Sequence, residues 1–304
     1  MPLRFAALTV LICALWASVG VAIKFCLADA PPLGLAAVRM LLAAAALALW
    51  MRARSPFRLD RANRRAVLVA TGFYALLLAF THVGFAATSA ARGIVLLNTT
   101  PLFVALLAAI VTPREPLGAA KLAGLALAFA GVVVIFGRRL DAGGGLGDGL
   151  MVLAAITWSF HILWVKRAAG KVDPAALTLA QFVGAAIVLG LVSVERESLA
   201  RWRPTAELAA GIVYLALAGT ALAWVLWAHV LRHVPATTAS AFIFSVPLFG
   251  VVLSWALLDE AITAPVIAGA AMISLGILLV TLAPRLRPLV GGLSVQGCAP
   301  PATD

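Results

Sequence analysis

Ser89-Ala-Ala-Arg-Gly-Ile-Val-Leu-Leu-Asn-Thr-Thr-Pro-Leu-Phe103 leads through an apolar tail to Pro113-Arg-Glu-Pro-Leu, then to Gly124 and Gly131. The pattern returns about 146 positions later as Thr237-Thr-Ala-Ser-Ala-Phe-Ile-Phe-Ser-Val-Pro-Leu-Phe, an apolar run to Asp259-Glu260, and then Gly269 and Gly276. Each copy is a hydrophobic segment with a proline near its centre. Proline has no N–H to give and frees a carbonyl about one turn earlier, so each copy reads as a membrane span with a break in its hydrogen-bond ladder. A duplicated span implies a duplicated chain.

Composition sets the class. Of 304 residues, 63% are hydrophobic and only 12% charged, with mean hydropathy +1.08. A soluble domain carries about twice that charge, so the chain belongs in a bilayer. The formal net charge of +11 lies in short clusters between apolar runs. There it sets orientation and does not call for a nucleic-acid partner. Cys13, Cys26 and Cys298 show no paired spacing, so neither a disulfide framework nor a metal site is expected. The first span resembles a signal peptide in length, yet it has a counterpart later in the chain and is expected to be retained.

A helix needs about 20 apolar residues to cross the hydrocarbon core. Ten such spans are expected, at 4–23, 32–51, 66–87, 89–112, 117–136, 147–166, 174–194, 207–229, 235–258 and 263–283. A Gly-rich linker at 138–147 separates a first unit, 1–137, from a second, 148–283, and a cytoplasmic tail covers 284–304. The internal match extends beyond the opening stretch. Trp16, Lys24 and Pro32 recur as Trp158, Lys166 and Pro174, and Arg39 falls opposite Gln181, all at a spacing of 142, while His82 falls opposite His229 at 147. Because each unit has an odd number of spans, the second enters the membrane upside down, giving an all-α polytopic fold of two inverted five-helix repeats. With the N-terminus cytoplasmic, fifteen of the 23 basic residues fall inside and seven outside, with Arg39 within a span. Both termini are therefore expected in the cytoplasm.

The order Trp16, Lys24, Pro32, Arg39, then Ser-Ala-Ala-Arg, Thr-Pro-Leu-Phe, Arg-Glu-Pro-Leu, Gly124 and Gly131 is the first copy. With its echo in Trp158, Lys166, Gln181, Val-Pro-Leu-Phe and Asp-Glu, it resembles the EamA-type branch of the drug/metabolite transporter superfamily. The resemblance covers about residues 4–283. It implies two inverted five-helix bundles in a bacterial inner membrane, export of amino acids or related metabolites, and a fifth and tenth helix forming a supporting edge on which a homodimer can pair.

Several polar residues stand in the spans. Arg39 lies seven residues beyond Pro32, about 10 Å into the membrane at 1.5 Å per residue, where its charge is costly unless paired. All twelve acidic residues lie in loops or near span ends, leaving a substrate carboxylate, a snorkelling path or backbone carbonyls as its partner. Arg92, closer to the interface, is expected to snorkel. His82, His161 and His229 offer binding or proton transfer against interface anchoring or packing. Trp16 and Trp158, and Trp224 and Trp227 on a face shared with Thr220, offer cavity walls against packing. Asn98 and Thr99 before Pro101, and Ser245 before Pro247, mark polar notches at the helix breaks. The expected binding set also takes in Gln181. The small residues Gly124, Ala128, Gly131, Gly269, Ala270 and Gly276 read as close helix packing.

The expected function is a secondary transporter that exports a small metabolite, such as an amino acid or related zwitterion, by alternating access. Uptake or exchange of another small organic solute remains open on these residues. A membrane-embedded enzyme fits less well, since the spans hold neither facing acids nor clustered metal ligands. No nucleotide-binding loop is visible, and no cofactor is expected. The partners are a small-molecule substrate and lipid.

Overall fold

A computed structural model describes residues 3–52, 63–111, 119–136, 145–168, 172–233, 243 and 245–291. The described residues form helices joined by short turns, with no strand among them. The helices are α1 Leu3–Cys26, α2 Pro32–Arg52, α3 Arg64–Ala87, α4 Ala90–Leu97, α5 Thr100–Val111, α6 Ala119–Phe136, α7 Gly145–Ala168, α8 Pro174–Arg196, α9 Ala206–Val213, a π-helix Tyr214–Leu222, α10 Ala223–His233, α11 Val246–Leu258 and α12 Ala264–Gly291. Among the described residues, six helical segments are long and apolar enough to cross a membrane, and four shorter apolar helices accompany them. Of the expected linker, residues 145–147 already belong to α7, and α12 continues past position 283. The Arg-Glu-Pro-Leu turn after the fourth span lies outside the described residues, as do Thr237–Phe242 and Cys298.

Hydrophobic side chains face both ways, as a bilayer solvent permits. Ile12, Leu35, Met40, Leu96 and Leu215 are fully buried, while Leu41, Leu49, Ile187, Leu191 and Val194 stand exposed on the outer surfaces of α2 and α8. In water such a surface would be a large aggregation liability; in lipid it is the solvated face. Close approach then depends on small residues. Ile94 of α4 packs against Gly20 of α1 and Gly250 of α11, where any Cβ would collide with it. α6 and α12 touch through backbone: a Cβ on Gly131 would lie 2.8 Å from the Gly269 carbonyl oxygen, and one on Gly276 2.5 Å from that of Gly124. Residues rising along one helix meet residues falling along the other, so the pair is antiparallel.

The fourth span is broken where the sequence places Pro101: α4 stops at Leu97 and α5 starts at Thr100. The freed groups are satisfied locally. Asn98 Nδ2 donates to the Ile94 carbonyl, Thr99 Oγ1 to Leu96 and Thr100 Oγ1 to Leu97, and Ser159 Oγ of α7 reaches the Thr100 carbonyl at 3.0 Å.

Charged residues tie the helices together at the end where α1 finishes and α2 begins. Lys24 Nζ donates to the carbonyls of Phe85 and Thr88, at 2.9 and 2.7 Å, closing the C-terminus of α3. The Glu260 carboxylate accepts from Ala90 N and Ala91 N, at 2.7 and 3.0 Å, closing the N-terminus of α4. Glu197 does the same for Leu33 N and Gly34 N of α2, both at 2.9 Å. An anion at a helix N-terminus satisfies orphan N–H groups and meets the positive end of the dipole. Asp148, in the first turn of α7 and fully buried, accepts from Thr88 Oγ1 and pairs with Arg92. Snorkelling was the expectation for Arg92, and the ion pair corrects it. Gly147 rests on the backbone of Ala87 and Thr88, bringing the Asp148 carboxylate within reach of a guanidinium one turn into α4.

Candidate functional site

Arg39 is buried, with 7% of its surface exposed, so it does not snorkel. Its Nε and Nη2 both donate to Thr220 Oγ1, at 3.1 and 2.9 Å. Thr220 in turn donates to the Leu215 carbonyl five residues earlier, a spacing set by the π-helix. A guanidinium carries five N–H donors, and the threonine engages two of them. The partner is a neutral hydroxyl, not a carboxylate, so the charge itself is left uncompensated by Thr220. His82 of α3, fully buried, lies within electrostatic reach of Arg39. Its Nδ1 bonds the Leu78 carbonyl at 2.9 Å. A carbonyl only accepts, so Nδ1 carries the proton, and in the neutral ring Nε2 presents a lone pair with no protein partner.

Tyr74 of α3 stands between this group and a second one. Its hydroxyl donates to Met40 Sδ, next in sequence to Arg39, at 3.8 Å. Its ring lies 5.6 Å from that of His161 on α7 and 5.9 Å from that of Phe182 on α8. His161 and Gln181 approach each other side by side. Even so, neither imidazole nitrogen nor the Gln181 amide nitrogen meets a partner at hydrogen-bonding geometry, although both residues are more than nine-tenths buried. Polar atoms in such a setting are costly unless something else satisfies them. The arrangement suits binding of a polar solute. It offers no nucleophile and base in contact, and no group of three or more metal-ligating side chains occurs among the described residues.

The model of the EamA-like transporter family matches this chain twice, over residues 4–137 and 145–282. The chain belongs to the EamA-like transporter family. It is a transporter of the drug/metabolite type, not an enzyme, and a multi-pass membrane protein. An uncharacterized transporter of Archaeoglobus fulgidus is 28% identical over 261 residues, 84% of this chain and 88% of the relative. A probable amino-acid metabolite efflux pump of Escherichia coli K12 is 27% identical over 295 residues, 93% of this chain and 96% of its own length. A crystal structure with 19% sequence identity shares the fold, with a TM-score of 0.68 over 93% of this chain and 98% of the other.

Within this EamA-like chain the residues singled out from sequence fall into three groups. Arg39, His82, His161 and Gln181 gather around Tyr74 and Thr220, as above. Trp16 and Trp227 meet at 5.2 Å between ring centres, beside Phe5, Ile12 and Val230, and form an aromatic wall between α1 and α10. Trp158 packs into the apolar cluster around Tyr74 and Phe182. The remainder lie apart from the polar file. Asn98 and Thr99 are used up inside the break before Pro101, and Ser245 precedes Pro247 at the start of α11, beside Cys13. Trp224 is 44% exposed on the outer surface although Thr220 is buried. The 3.6-residue face that groups Thr220, Trp224 and Trp227 does not carry through a π-helix, whose bonds run to the fifth residue. Cys13 and Cys26 are buried and take part in no disulfide among the described residues.

Tyr74 and Thr220 complete the site without having been chosen from sequence for it. Two signals point to them. The chain has only two tyrosines, and Thr220 follows Tyr74 by 146 residues, the spacing of the repeated stretch.

Proposed function

We propose that the chain is a secondary transporter that exports a small carboxylate-bearing metabolite, such as an amino acid or related zwitterion, by alternating access between two inverted five-helix halves. The observation that carries this reading is Arg39, a buried guanidinium in a span whose bonded partner is a hydroxyl. A solute carboxylate is the planar, two-oxygen anion that matches its remaining donors. His82 Nε2 is the nearby acceptor for a donor on the same solute.

The packing supports the inverted arrangement. Gly269 and Gly276 are the repeat counterparts of Gly124 and Gly131, and Gly131 meets Gly269 while Gly276 meets Gly124. Exchanging the halves returns the same pair of contacts, as a twofold axis crossing an antiparallel helix pair requires. α2 and α8 also pack antiparallel, with Gly34 beside Ser193 and Ala37 beside Gly190. The name of the Escherichia coli relative supports both the direction and the amino-acid class.

We place the protein in a bacterial inner membrane with both termini cytoplasmic, on the excess of basic residues in the loops of that side. A reporter fused after residue 290 is then active only in the cytoplasm, and activity of a periplasm-dependent reporter at the same site would reverse the orientation. Metabolite profiling of cells with the gene deleted and overproduced tests the function. Extracellular levels of at least one carboxylated metabolite should fall on deletion and rise on overproduction. No reproducible change in any solute on either side would overturn the exporter reading.

A further inference from the structure

We propose that His161 and Gln181, against Tyr74 and Phe182, form a second binding station that reads the end of the solute opposite its carboxylate. It selects solutes that end in a flat, uncharged group with both a hydrogen-bond donor and an acceptor. The proposal rests on Arg39 being the carboxylate station.

The two stations are related by the repeat. Gln181 is the counterpart of Arg39 at a spacing of 142, and Thr220 that of Tyr74 at 146. Arg39 bonds Thr220; Gln181 is followed by Phe182, whose ring stacks on Tyr74. A third pair follows the same rule. Position 161 answers to Val19, which packs against Gly219 beside Thr220, while His161 lies against Tyr74. One side of the pseudo-twofold therefore carries a cation over an apolar valine, and the other carries a neutral amide beside an imidazole.

The second station has unspent bonding capacity. The contact between His161 and Gln181 can engage one imidazole nitrogen; the other nitrogen and at least one N–H of the Gln181 amide are left without a protein partner. A group able to give and to take a hydrogen bond satisfies what the two residues do not give each other; an alkyl chain leaves that remaining capacity buried and unpaired. The rings of Tyr74 and Phe182 favour a flat group on their faces. No acid takes part in this cluster, so the station offers no compensation to a cationic end group. Tyr74, touching Met40 beside Arg39 with its hydroxyl and His161 with its ring, lies between the two stations.

The test is uptake of labelled amino acids into proteoliposomes holding the full-length protein, comparing histidine with norleucine, similar in length and alike at the carboxylate. The wild type should move histidine with a kcat/KM about tenfold higher, the effect of one or two satisfied hydrogen bonds. His161→Phe should bring the ratio close to one mainly through the KM for histidine, whereas His161→Asn, which keeps a donor and an acceptor, should retain part of it. A wild-type ratio near one overturns the second station while leaving Arg39 in place. A ratio unchanged in His161→Phe overturns it too, and so does equal loss of both fluxes in folded His161→Phe, which marks His161 as packing only. Absence of any carboxylate flux in the wild type removes the Arg39 reading and this one together.

Discussion

Arg39→Gln should abolish transport of carboxylated solutes while the protein still accumulates in the membrane. The glutamine amide can still donate to Thr220 Oγ1, so the contact between α2 and the π-helix has a neutral substitute. The positive charge and the bidentate fork have none, and a charge-assisted pair out of water is worth several neutral hydrogen bonds. A drop in kcat/KM of about a hundredfold or more is expected for amino acids, and a much smaller one for any solute that lacks a carboxylate. Removing a buried cation from a span also relieves its desolvation cost, so thermal stability in detergent should hold or rise. A folded Arg39→Gln protein with normal flux would end the carboxylate assignment. Loss of folded protein would instead make Arg39 a structural tie between the two helices.

Asp148→Asn should destabilise the folded protein by about 3–5 kcal/mol, the range for breaking a buried ion pair on one side. Asp148 is fully buried and joins three elements: its own helix α7, Thr88 at the end of α3, and Arg92 in α4. Asparagine can still accept from Thr88, but the Arg92 guanidinium, 15% exposed, loses the charge of its Asp148 partner. Heating in detergent followed by size-exclusion chromatography reads the loss as a shift to lower temperature. The double variant Asp148→Leu with Arg92→Met should recover part of it relative to Asp148→Leu alone, because paired apolar residues leave no charge unpaired. If Asp148→Asn melts with the wild type, the pair does not hold the α3–α4 junction to α7.

Much of this architecture was legible in the sequence because its causes are local. Apolar length locates helices, Pro101 locates the break between α4 and α5, and the small residues at Gly124, Gly131, Gly269 and Gly276 locate a backbone-to-backbone helix contact. Arg39, His82, His161 and Gln181 stood out because a polar side chain in an apolar run is rare for a physical reason. The partners were not legible. That Asp148 lies opposite Arg92, or Glu260 on the amides of Ala90 and Ala91, depends on which helix ends meet, and no spacing along one chain encodes that. Tyr74 is as ordinary in a span as any other aromatic until His161 and Phe182 are placed beside it. Trp224 leaves the face of Thr220 because the end of the π-helix lies between them.

The π-helix sits where the two copies differ in length. α8 begins 142 residues after α2, and α9 begins 142 residues after α3, yet His229 follows His82 by 147. The extra residues of the second copy thus lie inside one span, not in a loop, and it is the span that carries the π-helix. A wider coil takes up part of that surplus, and the span is longer as well, 206–233 against Arg64–Ala87 for α3. The Arg39 contact with Thr220 is built from that surplus, since Thr220 donates to a carbonyl five residues back, out of phase with an ordinary α-turn. The family model matches the chain twice, and in the second match the π-helix places Thr220 where the Arg39 guanidinium reaches it, a contact that Gln181 at the corresponding position of the repeat does not have.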